Sequence, residues 1–208
     1  MRPIILITAV SVLAALEFPT RSSAAELIPP GERIAGVSQA DWSVKWWQWA
    51  FSFNRAESPV SDQTGERCHW QQKGGVWFLA GTYGTKRTER ACTVPAGKIL
   101  FFPLINYVVY PPSGSPEECT RMKQSAAEYT DNPSALVLEI DGQRFPNLQP
   151  HRLVSKGCFA LFSNSPKNAA SNGYYVAIRP LTRGTHVINF GGILQTSTQA
   201  VTYTLIVE

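Results

Sequence analysis

Residues 174–207 read YYVAIRPLTRGTHVINFGGILQTSTQAVTYTLIV. Tyr174–Arg179, His186–Phe190 and Val201–Val207 are rich in β-branched and aromatic residues and alternate in polarity. Thr182-Arg183-Gly184 and Gly191-Gly192 supply turns between them. Period-2 runs with glycine-containing breaks are the signature of half-buried strands. Three in succession at the C-terminus predict the closing edge of a β-sandwich, with a jelly roll as one variant.

The same signals continue upstream. Ala135–Ile140 reads as a strand, Asp141-Gly142 as a hairpin turn and Gln143–Phe145 as its partner. Strand-like segments also fall near His151–Val154 and Cys158–Phe162, and earlier at Val76–Ala80 and Thr88–Val94. Gly81 to Thr85 and Pro95-Ala96-Gly97 provide turns. Ile99 to Ile105, extending to Val109, is an apolar strand interrupted by Pro103, and Pro111-Pro112 ends it.

Two segments change period. Trp42, Trp46, Trp49, Ala50 and Phe53 recur at three- and four-residue spacing, predicting a helix from about Gln39 to Phe53 with Ser38 as N-cap and Asp41 as its capping partner. Ser115-Pro116-Glu117-Glu118 starts a second helix that runs to about Tyr129. Residues 54–75 are polar and glycine-containing and read as a long loop. The expected fold is therefore mainly β, a sandwich with an N-terminal Trp-rich helix and a second short helix.

Residues 1–25 have the three parts of an export signal. Arg2 is the positive start, Ile4–Leu16 the apolar run and Ser23-Ala24-Ala25 the small residues before cleavage. A run of this length is too short to span a bilayer, and no later segment is long enough. The mature domain is expected to be residues 26–208, secreted or periplasmic. Loss of Arg2, Arg21 and Glu17 takes the formal net charge from +4 to +3. No dense Lys/Arg stripe accompanies that charge, so no nucleic-acid partner is expected.

The four cysteines, Cys68, Cys92, Cys119 and Cys158, lie in the mature part. An even count in an exported chain favours disulfides. The uncrossed pairing Cys68–Cys92 and Cys119–Cys158 is expected. The close spacing of a structural zinc site is missing, so no metal or other cofactor is called for.

Trp46-Trp47-Gln48-Trp49, Val76-Trp77-Phe78-Leu79-Ala80-Gly81-Thr82, Cys92-Thr93-Val94-Pro95-Ala96-Gly97-Lys98, Phe101-Phe102-Pro103 and Asn106 resemble a family of uncharacterised exported proteins seen mainly in bacteria. The resemblance implies export and a single domain. It carries no activity.

Three groups are candidates for function. Trp46, Trp47 and Trp49 could offer rings for sugar stacking or protein contact, with Trp47, off the main stripe, as the exposed platform; the same spacing also describes a core stripe. Asp62, Glu66 and His69 sit beside Cys68 and could serve acid–base or metal chemistry, or simply form a solvated turn capped by Asp62. Arg90, Lys98, Asn106 and Tyr107 lie near strand ends and could form a polar cleft, or make structural hydrogen bonds. The G-x-S-x-G, H-E-x-x-H, P-loop and dinucleotide signatures are missing. The leading expectation is a non-catalytic exported module binding a carbohydrate, an envelope component or a protein near the Trp-rich helix. Alternatives are a secreted hydrolase using Asp62, Glu66 and His69, and a structural or assembly protein.

Overall fold

The computed structural model describes residues 24–83, 86–110 and 115–208. The export signal expected over residues 1–25 falls almost wholly outside the described residues, as do the end of the turn expected at 81–85 and the stop expected at Pro111-Pro112. Chain order is α1 (Gln39–Ala50), β1 (Val76–Phe78), β2 (Thr88–Val94), β3 (Ile99–Val109), α2 (Pro116–Thr130), β4 (Ala135–Ile140), β5 (Gln143–Arg144), β6 (Arg152–Val154), β7 (Ala170–Ile178), β8 (Gly184–Ile193) and β9 (Thr198–Val207).

Local signals account for the helix starts. Ser38 caps α1, its hydroxyl accepting from the Asp41 amide at 3.2 Å and donating to the Asp41 carboxylate at 2.5 Å. Ser115 caps α2 with Pro116 in the first turn. Helix α1 stops at Ala50, three residues short of the expected end: the Phe51 amide makes the last i→i−4 bond, to Trp47 at 2.9 Å, and the Ser52 amide tightens to an i→i−3 bond with Trp49 at 3.1 Å.

The strands form two sheets, ordered β1-β3-β7-β6 and β2-β9-β8-β4-β5. They pack face to face as a β-sandwich around Leu79, Leu100, Phe102, Val176, Ile188, Phe190, Tyr203 and Leu205. Both sheets are mixed: β1 runs parallel to β3 and β2 parallel to β9, whereas a jelly roll is antiparallel throughout. A second apolar layer lies on the other face of the four-stranded sheet, where Trp46, Trp47 and Trp49 meet Phe101, Tyr175 and Ala177. Every residue of β7 is buried because both its faces are covered.

The C-terminal strands are not an edge. Strand β7 lies inside one sheet, and β8 and β9 lie inside the other. Cys158–Phe162 does not form a strand; it makes one isolated bridge, Phe159 to Ala169. Pro103 is tolerated inside β3 because the register shifts between Pro103 and Ile105, a bulge. Gln199 reaches across from β9 and donates to the carbonyls of Pro103 (2.9 Å) and Leu104 (2.8 Å).

The disulfides are Cys68–Cys92 and Cys119–Cys158, the pairing read from the sequence. Among the described residues no helix is long and apolar enough to cross a membrane.

Candidate functional site

The Trp-rich helix is interior. Trp46, Trp47 and Trp49 are only 1%, 5% and 6% exposed, so none of them is the surface platform the sequence suggested. Large rings on one helical stripe lose most solvent contact when that stripe is laid on a sheet. Their polar edges are used too. Trp46 donates its indole N–H to Leu79 and Trp49 to Trp70, each at 3.0 Å. Trp42 does the same to Ile34 at 3.0 Å. These indoles staple the lead-in, the end of β1 and the long loop to α1. Trp47 packs edge-on to Trp46 and beside the Tyr175 hydroxyl.

Asp62, Glu66 and His69 do not form a joint site. Asp62 is buried, and its carboxylate accepts from the amides of Thr64 (2.9 Å) and Arg67 (2.9 Å) and from the Thr64 hydroxyl (3.0 Å). Burial alone would raise its pKa, but these donors and the Gly65 amide hold it below the ordinary value. Glu66 and His69 are exposed and make no side-chain hydrogen bond or ion pair with Asp62 or each other. The loop is a capped turn. Among the described residues no three His, Cys, Asp or Glu side chains gather as metal ligands.

Arg90, Lys98, Asn106 and Tyr107 are not one cleft either. Arg90 is 3% exposed and donates to the carbonyls of Asp62 (2.8 Å), Ala80 (2.7 Å), Gly81 (2.9 Å) and Val60 (3.3 Å). It locks the loop and the β1 exit onto β2. Lys98 donates to Gly74 at 2.6 Å. Asn106 donates to the Tyr175 hydroxyl at 2.9 Å. Burial raises the pKa of Tyr175, against the opposing effects of Asn106 and Trp47. Tyr107 faces elsewhere and stacks on Tyr129 at 4.3 Å. Gly173 leaves room for Asn106, since a Cβ there would lie 2.5 Å from that side chain.

Two surface hollows compete as sites. The larger, about 760 Å³, lies on the outer face of the five-stranded sheet between Arg87 and Arg144. Its polar side chains satisfy one another in a row. Arg144 pairs with Glu139 (3.0 Å), Asn189 donates to Glu139 (3.3 Å), Thr202 to Asn189 (2.8 Å) and Arg87 to Thr202 (3.1 Å). A ligand there would have to break bonds already made, and Phe145 is its only flat ring outside the core stack.

The smaller hollow, about 300 Å³, opens where α1 ends and is lined by Phe51, Phe53, Arg55, Tyr83, Tyr110 and Phe162. Phe51, Tyr110 and Phe162 touch pairwise, with centroids 5.5, 5.6 and 6.1 Å apart. Tyr110 and Phe162 are each 46% exposed and Tyr83 38%. A further hollow of about 350 Å³ shares Phe51 and Phe162, which form the ridge between the two. Sequence reasoning missed this group because positions 51, 83, 110 and 162 share no local pattern. Only Phe51, flanking the Trp stripe, carried a signal.

No family model matches the chain, and no curated protein matches it. Among solved structures, the solution structure of amebosin aligns with 59% of this chain and 96% of its own, at 11% identity and a TM-score of 0.21. A likeness that slight bears on neither fold nor function.

Proposed function

We propose that the chain is an exported, non-catalytic binding module whose ligand is a carbohydrate, an envelope component or another protein. The observation that carries this reading is the pair of exposed rings Tyr110 and Phe162, packed on half-buried Phe51 around a hollow at the end of the Trp-rich helix. Exposed rings on a firm support bind apolar faces at little entropic cost, since each ring has only two rotatable bonds. The support here is α1, anchored by its buried indoles. Against the hydrolase alternative, the Asp62 carboxylate is engaged by backbone amides and is not bonded to Glu66 or His69.

Export is supported by the tripartite N-terminal pattern, by the resemblance to exported bacterial proteins and by two disulfides, which persist in oxidising compartments. The chain pairs onto β7 from Glu26 onward. The Arg179 amide donates to Glu26 at 3.0 Å and the Ile28 amide to Ala177 at 2.8 Å. N-terminal sequencing of protein recovered outside the cytoplasm should begin at Glu26; recovery of the intact Met1 form would defeat the proposed processing.

The binding test is a glycan array with a cell-wall pull-down, using the mature protein. Tyr110→Ala and Phe162→Ala should each abolish or strongly weaken capture with an unchanged melting temperature. Capture that survives both substitutions would remove this surface from consideration.

A further inference from the structure

The hollow at the end of α1 combines flat apolar walls with an exposed cation, Arg55. Arg55 stacks its guanidinium over the Tyr83 ring, 4.8 Å from the centroid. Its backbone carbonyl accepts from Ser61, and among the described residues its side chain makes no ion pair and donates to no acceptor. Glu57, two residues on, accepts from Asn54 at 3.4 Å and does not pair with Arg55. The buried and half-buried arginines are committed: Arg67 to Ala56 at 2.6 Å, Arg90 to four carbonyls, Arg152 to Asp131 at 2.7 Å and Arg179 to Glu26 at 3.0 Å; Arg55, like Arg121 and Arg183, is exposed, and of these three it is the one that lines the aromatic hollow.

Stacking restrains the plane of a guanidinium while leaving its in-plane N–H fork free, the geometry that grips a carboxylate through two parallel bonds. Across the same hollow, Tyr110 and Phe162 present ring surface. A ligand that satisfies both walls needs a flat C–H face and a carboxylate a few ångströms apart. A uronic acid residue has both on one pyranose ring. The hollow's volume, about 300 Å³, is at the low end for small-ligand sites and suits a short saccharide segment rather than a folded partner.

We propose that this site binds acidic saccharides, with Arg55 holding the uronate carboxylate and Tyr110 and Phe162 holding the sugar face. The proposal rests on the binding-module reading and narrows its ligand. A charge-assisted pair of bonds at a half-exposed site favours the acidic ligand by about tenfold.

The experiment is titration calorimetry of the mature protein with three probes: a galacturonate trimer, neutral cellotriose and a glutamate tripeptide. The galacturonate trimer should bind about tenfold more tightly than cellotriose. Arg55→Gln should erase that difference, whereas Tyr110→Ala should weaken both sugars and keep the ratio between them. Raising the salt should reduce the preference for the acid. Equal affinity for the two sugars, or an Arg55→Gln variant that keeps the preference, overturns the acidic-ligand proposal and leaves the module reading standing. Tight binding of the glutamate tripeptide in place of the uronate also overturns it, in favour of a peptide ligand. If neither sugar binds and the cell-wall pull-down is empty, both readings fall together.

Discussion

Arg90 carries a full charge into the interior and meets only carbonyls and the Tyr203 hydroxyl and ring. Removing it would leave four acceptors without their donor, and each buried unsatisfied group costs roughly 1–3 kcal/mol. Arg90→Met is expected to lower unfolding free energy by about 3 kcal/mol or more, read by urea denaturation. Arg90→Lys should recover less than half, because one ammonium cannot replace the guanidinium fork. Two titrating groups give handles of the same sign in different pH ranges, each losing its contribution as pH falls. Burial lowers the pKa of His151 below 6.5, so the unfolded chain takes up a proton first. Its contribution is present above pH 6.5 and is lost as pH falls through the folded value; His151→Gln should flatten the stability profile on the acid side of 6.5. Asp62 is also depressed, below 3.8, so its contribution is present above that value and is lost below it. Asp62→Asn should therefore matter at neutral pH and vanish under strongly acid conditions, as measured by melting temperature across pH.

Each disulfide belongs to one element. Cys68–Cys92 ties the long loop to β2, and Cys119–Cys158 ties the first turn of α2 to the loop before β7. Loops of these lengths are worth about 3–4 kcal/mol each in the chain-entropy description. Replacing Cys119 and Cys158 together by Ala should reduce stability by about that amount and speed amide exchange first in α2. Helix α1 is held differently, by rings rather than by a covalent bond. Trp46 is fully enclosed and hydrogen-bonded, so Trp46→Ala is expected to cost about 3–5 kcal/mol and to lose binding only together with the fold. Phe162→Ala, on the surface, should lose binding alone. Calorimetry and thermal melting of the two variants side by side separate support from contact.

On the scale of the whole molecule, segments 46–49, 76–82 and 92–98 and the residues that meet them do architectural work. Gln72 within the long loop accepts from the Phe78 amide and donates to Phe78 and Cys68, closing the edge of β1. Gly81 leaves the space that the Gln199 amide occupies, since a Cβ there would lie 2.2 Å from it. Lys98 closes onto Gly74, and the indoles of α1 hold β1 and the loop. That left the candidate site to residues outside those segments: Arg55, Tyr83, Tyr110 and Phe162. Both helix starts, most strand positions and the β-rich class were legible in local patterns, and the uncrossed disulfide pairing was the favoured one of three. Caps, alternation and cysteine order act over a few residues or along a single chain, so they are legible there. Assembly alone sets the interior places of β7, β8 and β9, the two parallel strand pairs, and the inward turn of Trp47 against the outward turn of Phe162. Those outcomes depend on which surfaces meet across long chain separations. The hollow is a consequence of that assembly, built by four distant positions that only the packed sheets bring together.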